Sequence, residues 1–180
     1  MSICEKVNQM SEKAFACMNS LETEEATKNA LIMPFISGVL GYDVFNHLEV
    51  IPEFTLDVFA KKGEKVDYAL IKDGQVQILI ECKKASDDLL IKHASQLYRY
   101  FSVSNARIAI LTNGVKYLFF TDLESPNKMD DKPFMSLDLL SVDLNLIQEI
   151  EKLSKSSFDL NSIISSAEEL KYLTEIKNVF

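Results

Sequence analysis

The stretch from Lys65 to Lys84, KVDYALIKDGQVQILIECKK, limits the possible folds more than any other part of the chain. Two runs rich in Val, Ile, Leu and Tyr flank Asp73-Gly74, a dipeptide suited to hairpin turns, so β-strands are predicted at Lys65 to Ile71 and Val76 to Lys83. Their far ends carry Asp67, Glu81 and Lys83. Charged groups at the ends of buried strands cost free energy unless they pair or bind a cation, so this trio calls for an explanation.

Side chains alternate across a strand, so Glu81 and Lys83 share one face while Ile80 and Cys82 take the other. A plain two-residue turn on Asp73-Gly74 would set Asp67 opposite Ile80, on the wrong face. The expectation is therefore a three-residue loop, Lys72 and Asp73 in a type I turn with Gly74 left-handed in a bulge, which makes Asp67 cofacial with Glu81.

Around this hairpin the chain reads as one α/β domain over residues 1–180. An amphipathic helix runs to about Asn19, with Val7, Met10, Ala14, Phe15 and Met18 at helical spacing. A second helix has Thr23 as N-cap and an inward stripe of Ala26, Ala30, Leu31, Phe35 and Val39; Pro34 should kink it and Gly41 end it. A strand is expected from Leu48 to Leu56. Ser86 should cap a helix with Leu89, Leu90, His93, Leu97 and Phe101 on its inner side. Ala106 to Leu111 is a nearly continuous apolar run, as in a strand covered on both faces, and it leads into a hairpin on Asn113-Gly114. LESPNKMDDKP reads as a surface loop, and helices near Asp143 to Lys155 and Asn161 to Val179 complete the pattern. The order gives an α/β sandwich with a mixed central sheet and added C-terminal helices. The final EIKNVF lies within a helical pattern without a cap, which suggests a longer natural product or packing on a partner.

Three scattered cysteines, Cys4, Cys17 and Cys82, and two histidines make a zinc site improbable. No apolar run approaches the ~20 residues that span a bilayer, and the first residues lack the order of a secretory signal, so a cytoplasmic location is expected. A formal charge of −8 argues against a protein that coats itself with nucleic acid. It leaves room for a local basic strip, Lys83, Lys84, Lys92, His93 and Arg99, facing a phosphate backbone. No phosphate-cradling G-x-x-x-x-G-K-[ST] loop is present, so an ATP-driven motor would have to lie elsewhere.

Two converging carboxylates repel one another, and a hard dication such as Mg²⁺ or Mn²⁺ relieves that repulsion. A lysine beside it could orient a water or stabilise developing charge, and these are the parts of phosphodiester hydrolysis. Taken alone, the trio could equally be a solvated hairpin acid, Asp67, and an exposed cross-strand pair, Glu81 and Lys83.

Val66-Asp67 followed by Glu81-Cys82-Lys83 resembles the PD-(D/E)XK nuclease superfamily, with Val66 in place of the usual proline. Gln96-Leu97-Tyr98-Arg99-Tyr100 is similar to the Q-x-x-x-Y signature of RecB-type nucleases. Glu24-Glu25-Ala26-Thr27-Lys28, with Leu31-Ile32 and Gly41-Tyr42, resembles the E-x-x-T-[RK]…L-I…G-[YW] pattern of the type I restriction enzyme R protein N-terminal domain. The resemblance spans about Glu22 to Asp122 and implies a restriction-endonuclease-like α/β/α sandwich. It further implies Asp67, Glu81, Glu24 and the Cys82 backbone carbonyl as ligands of Mg²⁺ or Mn²⁺, Lys83 as catalytic lysine, and Gln96 and Tyr100 flanking the substrate or bracing that lysine. Glu25 is the fallback for Glu24, and Lys84 and Arg99 are candidate phosphate contacts. The implied activity is a metal-dependent DNA endonuclease of restriction or repair type, with motor, specificity or modification subunits as partners and a homodimer where both strands are cut. The alternative is a weakly active or inactive nuclease-like module for nucleic-acid binding or subunit assembly.

Overall fold

The computed structural model describes residues 1–56 and 64–179; residues 57–63, inside the expected core region, and Phe180 lie outside them. Helix α1, Ile3–Cys17, starts at a reciprocal cap: the Glu5 N–H donates to Ser2 Oγ at 3.2 Å and the Ser2 N–H to Glu5 Oε2 at 2.7 Å. Val7, Met10 and Ala14 are buried, whereas Phe15, expected in the same stripe, is exposed. Position 15 directly follows 14 on the helix and so is turned away from the seam.

The second helix begins as α2, Glu24–Thr27, with the Ala26 N–H donating to Thr23 Oγ1 at 3.0 Å. The disturbance expected at Pro34 takes the form of a π-helical turn at Lys28–Ile32 before α3, Met33–Gly38. Pro34 cannot donate to Ala30, and the Met33 N–H just before it reaches five residues back to Lys28 O. Thr27, Leu31, Ile32, Phe35, Ile36, Val39 and Leu40 face inward, while Ala26 and Ala30 are only half-buried. Gly41, at φ +78°, ends the helix as expected, and the Tyr42 N–H closes back on Ile36 O at 3.2 Å.

Six strands form one mixed sheet in sequence order: β1 Val50–Phe54, β2 Val66–Lys72, β3 Gln75–Cys82, β4 Ile108–Thr112, β5 Lys116–Phe120 and β6 Met135–Asp138. Among the described residues only β3 and β4 run parallel; the other neighbours are antiparallel. The architecture is an α/β fold with helices on both faces, consistent with a restriction-endonuclease-like sandwich. Every residue of β4 is buried, as its apolar run requires. One core lies between the sheet and α1, α3, α5 (Ile147–Glu151) and α6 (Leu160–Val179); the other lies beneath α4 (Ser95–Val103).

The β2–β3 turn departs from expectation in an informative way. Asp73 (φ +54°) and Gly74 (φ +74°) form a tight two-residue turn, and Lys72 pairs with Gln75. The parity shift comes instead from inside β3: Leu70 pairs with Ile78 and Ile71 with Val76, so Gln77 is the bulged residue. Beyond it Tyr68 faces Ile80, which puts Asp67 and Glu81 on one face by a different route from the expected loop.

Other boundaries also moved. Residues 86–90 are not helical: Ser86 caps nothing, a 3₁₀ turn at Ile91–Ala94 leads into α4, and Leu90 is exposed. Strand β6 follows a loop expected to be mere surface. That loop is organised by carboxylates: the Asn127 N–H donates to Asp122 Oδ2 at 2.7 Å and the Leu123 N–H to Asp130 Oδ2 at 3.0 Å, and Met129 is buried. The expected helix Asp143 to Lys155 shortens to a 3₁₀ turn, Leu144–Leu146, and α5. Among the described residues no helix is long and apolar enough to cross a membrane.

In the β4–β5 hairpin Asn113 pairs back to Lys116, so the tip is Gly114-Val115. Gly114 has φ +80°, and an added Cβ would lie 2.9 Å from Leu31 Cβ, whereas at Gly74 it would meet open space. Gly74→Ala should cost about 1 kcal/mol from the left-handed backbone alone, and Gly114→Ala roughly 2 kcal/mol or more because helix and hairpin collide as well. Urea denaturation of both variants measures the difference; equal losses would mean that the helix yields freely.

Candidate functional site

The site lies where the sheet divides. Pairing of β1 with β2 continues to Phe54↔Val66 and pairing of β3 with β4 to Cys82↔Thr112, but β2–β3 pairing stops at Tyr68↔Ile80. The two halves of the sheet therefore part at Asp67 and Glu81 and leave a notch. The Lys83 N–H donates to Thr112 O at 2.8 Å on the β4 side, so the Cys82 N–H points to the β2 side. There Asp67 Oδ2 accepts it at 2.7 Å, standing in for a backbone carbonyl.

Lys28 reaches the notch from the helix on the opposite face of the sheet. Its Nζ is 2.5 Å from Asp67 Oδ1, 3.2 Å from Glu25 Oε1 and 3.7 Å from Glu24 Oε1. Burial works against the Lys28 charge, but the hydrogen bond and charge of Asp67 outweigh it and hold the ammonium well above its ordinary pKa. Thr27 fixes the backbone beneath it: Thr27 Oγ1 donates to Thr23 O and accepts the Ala85 N–H, both at 3.0 Å.

Glu81 is 6% exposed; its Oε1 lies 3.5 Å from Lys83 Nζ, and among the described residues its Oε2 has no hydrogen-bond partner. Burial first, and the nearby Asp67 charge second, push its carboxyl up to about 8, with Lys83 pulling the other way. A buried carboxylate oxygen without a donor is the kind of group that a cation or a proton satisfies. Cys82 is fully buried among apolar side chains on the other face, and burial raises its thiol far above the range of a reactive thiolate.

The sequence candidates thus divide. Asp67, Glu81 and Lys83 meet at the notch, and Glu24 joins them through Lys28. Glu24 is more covered than Glu25, with side-chain exposures of 43% and 76%. Among the described residues no set of three or more His, Cys, Asp or Glu side chains converges closely enough to hold a metal ion, and the Lys28 ammonium stands against Asp67, one of the four expected ligands.

On α4, Tyr100 is buried, its hydroxyl donates to Glu64 O at 2.8 Å, and Arg99 ion-pairs with the Glu64 side chain. Both hold the backbone just ahead of Val66-Asp67 instead of touching the acids. Gln96 is half-buried in the same helix, and no hydrogen bond joins it to the acids among the described residues. Lys84 lines a groove of about 600 Å³ with Met18, Glu22, Asn113 and Lys116. Thr27 and Lys28 carried no role in the sequence reading, although both sit in the E-x-x-T-[RK] match and Glu24 and Lys28 have ion-pair spacing.

Residues 45–128 match the family described as type I restriction enzyme R protein N terminus. The PD-(D/E)XK placement is consistent with this R protein N-terminal match, which runs from before β1 into the loop after β5 and includes Asp67, Glu81, Lys83, Gln96 and Tyr100. Glu24, Thr27 and Lys28 lie outside the matched segment. No match to the chain was found among curated proteins or among solved structures.

Because the Glu81 carboxyl titrates higher folded than unfolded, its contribution favours the folded state fully below the ordinary carboxyl pKa and is lost as pH rises towards and through about 8. With a chelator present, Glu81→Gln should therefore be more stable than the natural protein at pH 9, by about 1 kcal/mol or more, and the advantage should shrink to nothing near pH 4. Thermal unfolding across that range checks it; a pH-independent difference would contradict the burial of an ionising Glu81.

Proposed function

We propose that the chain is the endonuclease domain of a restriction-type system, hydrolysing DNA phosphodiester bonds with Mg²⁺ or Mn²⁺. The observation that carries this reading is the buried, unpartnered Glu81 Oε2 beside Asp67 at the point where β2 and β3 separate. The chemistry at the notch suits a hard dication: Asp67 and Glu81 would hold it with their carboxylate oxygens, the Cys82 backbone carbonyl and waters would complete its shell, and Glu24, paired with Lys28, would act through water. When bound, such an ion supplies charge neutralisation at the phosphoryl group and a more acidic water.

The protein's own contributions follow from its geometry. Lys83, tethered through Glu81, keeps a positive charge at the mouth of the notch, where negative charge builds on a phosphorane-like transition state. Glu81, its carboxyl pushed up to about 8 by burial and by the Asp67 charge, takes up a proton when no cation is bound, and a bound dication would replace that proton. Tyr100 and Arg99 keep the backbone before Asp67 in place through Glu64, and so act as positioning residues. Lys84 and Lys116 on the adjoining groove offer phosphate contacts. The R protein N-terminal match supports DNA and other restriction–modification subunits as partners.

A second reading, a nuclease-like module without cleavage, draws on one specific observation: both Asp67 oxygens are already engaged, one by Lys28 and one by the Cys82 N–H. Plasmid DNA with Mg²⁺ separates the two. Asp67→Ala and Lys83→Ala should each lower nicking by about 10²-fold or more, and activity equal to the natural protein in either variant, or none in the natural protein, would favour the module.

A further inference from the structure

We propose that Lys28 is a built-in competitor of the divalent ion, a counter-ion that holds Asp67 until the ion displaces it onto Glu25. This rests on the metal-dependent reading of the notch, and three observations carry it. First, Lys28 is no loose surface pair: its side chain is 13% exposed and its Nζ lies 2.5 Å from Asp67 Oδ1. Second, its backbone is fixed independently of the acids. The Thr27 hydroxyl binds the Ala85 N–H after β3, and Leu31 packs against the Gly114 tip, so the ammonium is delivered to the notch by a held helix. Third, the side chain has somewhere to go. Glu25 Oε1 at 3.2 Å and Glu24 Oε1 at 3.7 Å sit one turn back on its own helix, and Glu25 is largely in solvent. Release of Asp67 therefore needs only rotation of the Lys28 side chain, with no helix movement.

The consequence is reciprocal. A cation on Asp67 and a cation from outside cannot both be held there without mutual repulsion, so each weakens the other by the same factor. Lys28 keeps the carboxylates compensated when no ion is bound and sets how much divalent ion the notch requires. Glu81 Oε2, buried and without a donor among the described residues, is the second oxygen that an incoming ion would satisfy.

The test measures Mn²⁺ affinity by the electron paramagnetic resonance of free Mn²⁺, for the natural protein, Lys28→Gln and Lys13→Gln. Lys28→Gln should bind Mn²⁺ about tenfold more tightly, and Lys13→Gln, removing an equal charge from an exposed position on α1, should change affinity by no more than about twofold because solvent screens it. Lys28→Gln should also unfold at lower temperature than the natural protein in chelator, with the gap closing at saturating Mn²⁺. Should Lys28→Gln misfold, acylation of the natural protein followed by peptide mass spectrometry decides the matter: Lys28 should react faster at saturating Mg²⁺ than in chelator. Unchanged or weaker Mn²⁺ binding in Lys28→Gln, equal tightening in Lys13→Gln, or Lys28 reactivity indifferent to Mg²⁺ would overturn the proposal. If the natural protein and Lys28→Gln bind with equal affinity, competition fails while the metal-dependent reading stands; if neither binds Mn²⁺, both fail.

Discussion

One hydrogen bond organises the rest: the Cys82 N–H donated to the Asp67 carboxylate where two strands of a continuous sheet stop pairing. A buried N–H without a partner costs as much as a lost hydrogen bond, so a sheet can open internally only if something else accepts. Asp67 does so with one oxygen, which frees the chain to part there and leaves its second oxygen for a cation. The opening of the sheet and the clustering of charge are therefore the same event. The neighbouring Glu81 is buried beside this opening, and among the described residues its Oε2 has no hydrogen-bond partner.

The charges around the notch come from three separate pieces of chain. Lys28 approaches from the helical layer on one face, Glu81 and Lys83 from the other, and Asp67 lies between them. Fixing these pieces relative to one another is the work of groups that carry no chemistry themselves: Gly114 against Leu31, Thr27 on Ala85, and Tyr100 with Arg99 on Glu64. A site assembled this way tolerates an acidic protein overall, because its own cations are local and held.

Much of this was legible in the sequence where a pattern repeats or a residue type is decisive. The apolar run of β4, the Thr23 cap, the Gly41 terminus and the cofacial Asp67 and Glu81 follow from alternation and backbone chemistry. The means of making those acids cofacial did not: a bulge at Gln77 and a longer turn have the same effect on parity, and nothing in Val76-Gln77-Ile78 marks the extra residue. Strand β6 is too short for its alternation of Met135, Ser136 and Leu137 to stand out after a polar loop. The start of α4 was misplaced because Ser86-Asp87-Asp88 looks like a cap, whereas the Asp87 carbonyl is taken by Asn113 and the backbone there turns. Lys28 stands in the E-x-x-T-[RK] match, but its place at the notch is not legible in sequence because its partner Asp67 is distant along the chain.

The central claim is that the parted strands form a cation site on Asp67 and Glu81. Crystals grown with Mn²⁺, examined by anomalous scattering, test it most directly. The account predicts a peak within coordination distance of both carboxylates, with the Lys28 ammonium withdrawn from Asp67. No anomalous density at the notch, with Lys28 still seated on Asp67 at saturating Mn²⁺, would contradict it.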